Sequence, residues 1–182
     1  KWHLFDNYNR TYRQYEWVIL TLPAEQTFSL LPNEISFYSS LSKIKMKNCY
    51  SLMLGFNEPI KLDFDAAIIN NYDLAWIAKN NSKPERKNKC SLIVNSSYEY
   101  AERNKVTESQ DVLNYLLTKT GKILNRNLCN ATHRYLHHWR YVETNKKIDE
   151  NFYIDYEKKI AACGDWFINC RVEDAFVSAS DL

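Results

Sequence analysis

The sequence predicts an α+β fold, built mainly on an antiparallel sheet with flanking helices. Three observations carry that expectation. Tyr50, Leu52, Leu54 and Phe56 alternate with smaller side chains at the two-residue period of a half-buried strand. Short apolar runs at 66–69, 74–78 and 90–94 are separated by turn-forming residues, as strands of one sheet are. Val112, Leu113, Leu116 and Leu117 instead make a stripe of helical period.

Taken along the chain, Trp17 to Leu22 is a continuous apolar run that stops at Pro23, which suits a buried strand, and Glu25 to Leu31 turns into a short helix. The alternating run at 50–56 needs a sheet partner, and Asn70-Asn71 reads as a hairpin turn between two of the later strands. Thr107 followed by Gln110 is a capping-box pattern, opening a helix that is expected to end at Gly121. From 132 to 141 the chain alternates again. His133, Tyr135, His137, Trp139 and Tyr141 share one face, with Arg134, Leu136, His138 and Arg140 on the other. For Trp139 an ordinary core role is the preferred reading; for Arg140, pocket wall and ion-pair member stand level.

Gly164-Asp165-Trp166-Phe167 forms a turn leading to a helix that begins near Arg171. Its first amides have no partner within the helix, which favours an anion there. Val172, Ala175, Phe176 and Ala179 recur at helical spacing, so this face is expected to pack on the domain core. The plainer reading is an amphipathic terminal helix with an acidic first turn.

Composition narrows the functional classes. With 182 residues, 45% of them hydrophobic, the chain can build one core, or one domain plus part of a second. The 24 basic residues are scattered among 22 acidic ones, and the Lys79–Lys89 cluster reads as a solvated loop, so no nucleic-acid partner is expected. Cysteines 49, 90, 129, 163 and 170 form an odd set without C-x-x-C spacing, and His3, His133, His137 and His138 make no helical ligand pair. No metal site and no complete disulfide framework are expected. The absence of a signal peptide and of a spanning apolar run leads to a cytoplasmic expectation, with no membrane partner.

Cys163 through Phe176 resembles the C-terminal flavin-contacting motif of the renalase-like branch of NAD/FAD-dependent amine oxidases. Three further stretches resemble the same family in the same order: Glu16 to Gln26, with its P-A-x-Q turn; Leu74 to Arg86, followed by Val94 to Tyr100; and His137 to Val142, similar to the family's H-R-W-R-Y-A strand. The resemblance implies FAD as cofactor, with hydride transfer from an amine or a reduced dihydronicotinamide-type small molecule to the flavin and reoxidation by oxygen. It implies partial FAD-domain strands at 1–31, a substrate-binding domain at 32–142, and a C-terminal FAD-contacting strand and helix at 143–182, so that part of an α/β flavin domain accompanies the sheet. The cofactor-side residues it implies are Pro23, Ala24, Gly164, Asp165, Arg171, Val172 and Glu173, with Asp165 accepting hydrogen bonds from ribityl hydroxyls. The substrate-side residues are Trp76, His137, Trp139 and Arg140; no catalytic residue is implied.

Departures from the family pattern shape the expectation. Only 3 glycines are present and none makes a G-x-G-x-x-G turn, Ile168-Asn169-Cys170 replaces a Gly-rich segment, Asp174 stands for Gly, and His138 stands for Arg. The chain is therefore expected to be an incomplete oxidoreductase, inactive and without FAD until a dinucleotide-binding segment partners it, and an uncovered sheet is expected to self-associate. The alternatives are a catalytically silent remnant, and an unrelated sheet module that binds ligands on the aromatic strand around Trp139.

Overall fold

The computed structural model describes residues 1–70, 73–86, 90–145 and 147–182, and its architecture is α+β. In chain order the elements are β1 (Trp2–Phe5), β2 (Thr11–Tyr15), β3 (Val18–Leu20), α1 (Ala24–Leu30), α2 (Tyr38–Leu41), β4 (Met46–Phe56), β5 (Ala66–Ile68), β6 (Leu74–Lys79), β7 (Cys90–Ser96), α3 (Tyr98–Arg103), α4 (Ser109–Leu124), β8 (His133–Thr144), β9 (Tyr153–Asp155), β10 (Ile160–Ala162) and α5 (Val172–Asp181). Two compact units result, one of residues 1–47 with 141–182 and one of residues 48–140. Residues 32–47, grouped with the substrate domain in the sequence reading, cluster with the two terminal segments.

In the first unit, β10 is the middle strand of three: β3 runs parallel to it and β9 antiparallel. Ile160, Ala162, Trp166 and Phe167 pack there with Ala24, Leu31, Ile35, Phe37, Leu41 and Ile44. Asp155 ties the unit together. Its carboxylate accepts the Ser36 amide at 2.9 Å and the Lys158 amide at 2.8 Å, which holds it below the usual carboxylate range. Residues 1–15 form an antiparallel hairpin whose turn is closed by Asp6 Oδ1 accepting from the amides of Tyr8 and Arg10.

The second unit is built on a five-stranded sheet in the order β5-β6-β7-β4-β8. Thr132 N donates to Gly55 O and Asn145 N to Lys45 O, so β8 runs antiparallel to β4, as do the other neighbouring pairs. Alternation assigns the two faces. Tyr50, Leu52, Leu54, Phe56, Leu92, Val94 and Ile77 bury one face beneath Val112, Leu113, Leu116 and Leu117 of α4. His138 also lies on that side, stacked on Tyr50 at 4.3 Å and bonded through Nε2 to Asn48 Oδ1 at 3.0 Å.

Several expectations are corrected. The Thr107 hydroxyl donates to Asn104 Oδ1, and α4 opens at Ser109 with no side-chain cap. The same helix runs through Gly121 to Leu124, where Asn125, at φ 50, ends it in the left-handed conformation. Gly121 is needed for a close approach instead: a Cβ there would stand 2.9 Å from Arg126 O. Half of the expected Asn70-Asn71 turn, Asn71, lies outside the described residues. Trp139 is no core residue, being 48% exposed, because α4 covers the opposite face of the sheet. In α5 the Val172 and Phe176 side chains are 88% and 74% exposed, while Ser178 is the buried position. The helical period correctly groups the apolar residues, but the helix packs through a neighbouring face.

Candidate functional site

The parallel pairing of β3 with β10 joins two turns that are far apart in sequence. Leu20 is opposite Ala162, and Cys163 N donates to Leu20 O at 3.0 Å. Both strands therefore end together: β3 runs into Pro23-Ala24, and β10 into Gly164-Asp165. The Trp166 indole closes the join by donating through Nε1 to Leu22 O at 3.0 Å, and the same carbonyl accepts the Thr27 hydroxyl. Ala24 and Trp166 are essentially inaccessible, so this is a packed, rigid corner at the carboxyl ends of parallel strands, where open α/β sheets hold ligands.

Gly164 is backbone fitted to Trp166. A Cβ on it would lie 2.8 Å from the indole Nε1, and its amide donates to Ser178 Oγ at 2.9 Å, anchoring α5. Asp165 is half-buried, and burial pushes its carboxyl above the usual range, reinforced by the charge of Asp174. Arg171, Val172 and Glu173 are exposed at the start of α5. Asp174 Oδ2 already accepts the Arg171 amide at 3.0 Å, so the first turn carries its own anion. This bond serves the N-cap amide and leaves an acidic side chain at the helix start. Ahead of it, Cys170 is held at φ 59, a conformation that suits glycine and strains a side chain. Burial raises the thiols of Cys163 and Cys170, which keeps both protonated and weak as nucleophiles.

The other four candidates lie in the second unit. Trp76, His137 and Trp139 share the sheet face opposite α4. Ile68 pairs with Trp76, Trp76 with Asn95, and Asn95 with Ser51, while Trp139 Nε1 donates to Ser51 Oγ at 3.1 Å. One row thus crosses all five strands. His137 adds a ring contact to Trp139 at 4.2 Å and one to Tyr135 at 6.4 Å. Arg140, by alternation, belongs to the other face, so it does not join this row. Ser51 and Asn95 are site residues that sequence reading missed. The signal was available as polar residues interrupting two apolar strands on one face.

Could these residues hold a cofactor? The rigid strand-end corner and the half-buried Asp165 suit a hydroxyl-bearing ligand, since carboxylates accept hydrogen bonds from hydroxyls. The acidic first turn of α5 does not suit a phosphate. The residues present therefore suit a hydroxyl-bearing part of a ligand and not a phosphate. Among the described residues no group of three or more His, Cys, Asp or Glu could hold a metal ion, and no helix is long and apolar enough to cross a membrane.

No family model matches the sequence. Solved structures share the fold. The chain is similar to an Exiguobacterium protein provisionally named a protoporphyrinogen oxidase, with TM-score 0.72 and 12% identity over 98% of this chain and 43% of that one. It is similar to cyclohexylamine oxidase from Brevibacterium oxydans, with TM-score 0.58 and 10% identity over 98% of this chain and 45% of that one. A Pyrococcus furiosus protein matches with TM-score 0.53 and 8% identity over 90% of this chain and 37% of that one. The chain spans less than half the length of each, and at these identities the likeness is one of fold.

Proposed function

We propose that this chain is part of a flavin-dependent oxidoreductase of the amine-oxidase kind, contributing its substrate-facing sheet and its C-terminal flavin-contact turn. The observation that carries the reading is the side-by-side ending of β3 and β10, which joins Pro23-Ala24 to Gly164-Asp165 across more than a hundred residues. Two fold neighbours whose names state oxidation of a porphyrinogen and of an amine support it.

In this reading FAD, when bound, supplies the redox chemistry by accepting a hydride and passing electrons to oxygen. Asp165 would accept hydrogen bonds from ribityl hydroxyls, with the amides of Val172 and Glu173 near the ring. Gly164 and Trp166 keep the corner rigid. Trp76, His137 and Trp139 orient a planar substrate and keep water off it. The renalase-like branch, with a reduced dihydronicotinamide-type substrate, is the finer form of the proposal; an amine substrate is its companion. The pyrophosphate would be held by a dinucleotide-binding segment contributed from outside these residues.

The test is the visible spectrum after incubation with FAD and desalting, for this chain by itself and with such a segment supplied. Flavin retained only with the segment supports the proposal. Flavin on neither moves the second reading forward: a binding module using the exposed aromatic face, favoured by the ordered Trp139 to Ser51 hydrogen bond.

A further inference from the structure

We infer that the cleft between α3 and α4 binds a neutral polyhydroxylated small molecule of the sugar type, held by Tyr100, Arg103 and Asp111. The inference stands apart from the flavin reading. It starts from one phenol. Tyr100 is only 5% exposed, yet its hydroxyl has no hydrogen-bond partner among the described residues. No sealed side-chain polar atom among those residues lacks a partner, so the accessible part of Tyr100 includes its oxygen. The residue lines a cleft of about 490 Å³ together with Arg103, Asp111 and Tyr115, a space of small-molecule size. Burial, reinforced by the neighbouring Tyr115 and Asp73, pushes the phenol up to about 12. It therefore stays protonated and can both donate and accept.

The fold fixes the walls of this cleft. Ser97 Oγ caps α3 by accepting the Tyr100 amide at 3.0 Å, and the Tyr100 ring stacks on Tyr115 of α4 at 5.3 Å. Asp73, buried beside them, accepts from the Tyr115 hydroxyl at 2.8 Å, from Lys119 at 3.0 Å and from Arg103 at 3.1 Å. Its charge is answered within the protein. Three groups are left for a ligand. Arg103 reaches Asp73 through one amino group, and its other N–H groups have no acceptor among the described residues. Asp111 has no ion pair among those residues, and Tyr100 supplies its hydroxyl. One guanidinium stands against one carboxylate, so the free charges cancel. A ligand anion would meet Asp111, and a ligand ammonium would meet Arg103. Hydroxyls satisfy both, because each donates to the carboxylate or accepts from the guanidinium and phenol as its place requires. The half-exposed Tyr115 ring adds a flat apolar surface for the C–H face of a sugar ring.

The experiment is titration of the full chain, tyrosine-labelled and without flavin, followed through the Tyr100 and Tyr115 ring resonances. The probes are methyl α-glucoside, methyl β-galactoside and the anionic sugar glucuronate. The expected result is that at least one neutral glycoside shifts both rings and binds more tightly than glucuronate. Tyr100→Phe removes a hydroxyl that holds nothing in the fold. It should leave the melting temperature unchanged and weaken the bound glycoside about fivefold. Asp111→Asn, which removes the repelling charge, should narrow the gap between glycoside and glucuronate. Binding of neither glycoside to the parent overturns the inference, and so does glycoside binding that is equal in the parent and in Tyr100→Phe. Glucuronate binding more tightly than either glycoside overturns the neutral class. A melting temperature lowered in Tyr100→Phe would assign the hydroxyl to the fold and overturn it as well. FAD retention enters none of these outcomes, so failure here and failure of the flavin reading remain distinguishable.

Discussion

Gly164 and Trp166 are fitted to each other: the indole Nε1 occupies space 2.8 Å from where a Cβ on Gly164 would stand. That nitrogen also holds Leu22 O, so the pair locks the end of β10 to the end of β3. Gly164→Ala must push the indole away or break its bond. The expected cost is about 1–3 kcal/mol of stability, the range for overpacking a filled site, read from chemical denaturation. Because the same corner is the proposed flavin contact, any FAD retention should fall with it. A variant as stable as the parent would mean that the corner has slack.

Trp139→Phe separates a core role from a surface one. The side chain is half exposed, so the ring change should cost less than about 1 kcal/mol, the worth of a single net hydrogen bond. A loss near 3 kcal/mol would return Trp139 to the core. The loss of the Nε1 donor should instead appear as greater mobility of the Ser51 and Asn95 side chains, measurable by relaxation of the Asn95 amide group.

The position of Trp139 also marks where the sequence stops being legible. Alternation correctly divides β8 into two faces, since that period is a property of extended backbone. It cannot say which face the rest of the chain covers, and the more aromatic face proved to be the open one. The same limit applies to α5, where helical spacing groups Val172 with Phe176 but burial falls on Ser178. The strands at 50–56, 74–78 and 90–94 were readable because each has a buried apolar set bounded by turn residues, whereas the one at 66–68 is a largely exposed edge strand. The β1–β2 hairpin was not, because its side chains are mostly exposed and its turn is closed by one carboxylate, Asp6. Of the site, the Pro23 and Gly164 turns came from resemblance; their adjacency depends on parallel pairing between distant three-residue strands, which no local pattern encodes.

Two titrations of the same sense, in different pH windows, follow from the contacts of His138 and Asp155. Burial, with the charges of Arg140 and His137, lowers the His138 pKa below its ordinary 6.5. The folded state then binds this proton more weakly than the unfolded chain does. Its contribution is fully present above pH 6.5 and declines as the pH falls below it, until the folded pKa is passed. His138→Gln should flatten the stability profile in that window. Asp155 is depressed by its two backbone bonds, so its contribution is present above the ordinary carboxylate value of 3.8 and is lost as pH falls through the folded value. Asp155→Asn should remove that acid-side slope; an unchanged slope in either variant would assign the titration elsewhere.

Phe176 and Val172 give the last prediction. Both stand well over half exposed on one stripe of α5, and Val177 is 41% exposed beside them. Apolar area of this kind is worth about 25 cal/mol for each Å² removed from water, so a phenylalanine left outside favours any arrangement that covers it. Self-association through α5 is therefore expected when the chain is alone, rising with protein concentration. Phe176→Glu adds a charge to the stripe without touching the buried side, where Ser178 Oγ accepts the Gly164 amide. It should leave the melting temperature nearly unchanged and shift sedimentation toward the monomer. If the parent is already monomeric at high concentration, this stripe does not drive assembly; if Phe176→Glu unfolds the chain, the residue contributes to the core more than its exposure allows.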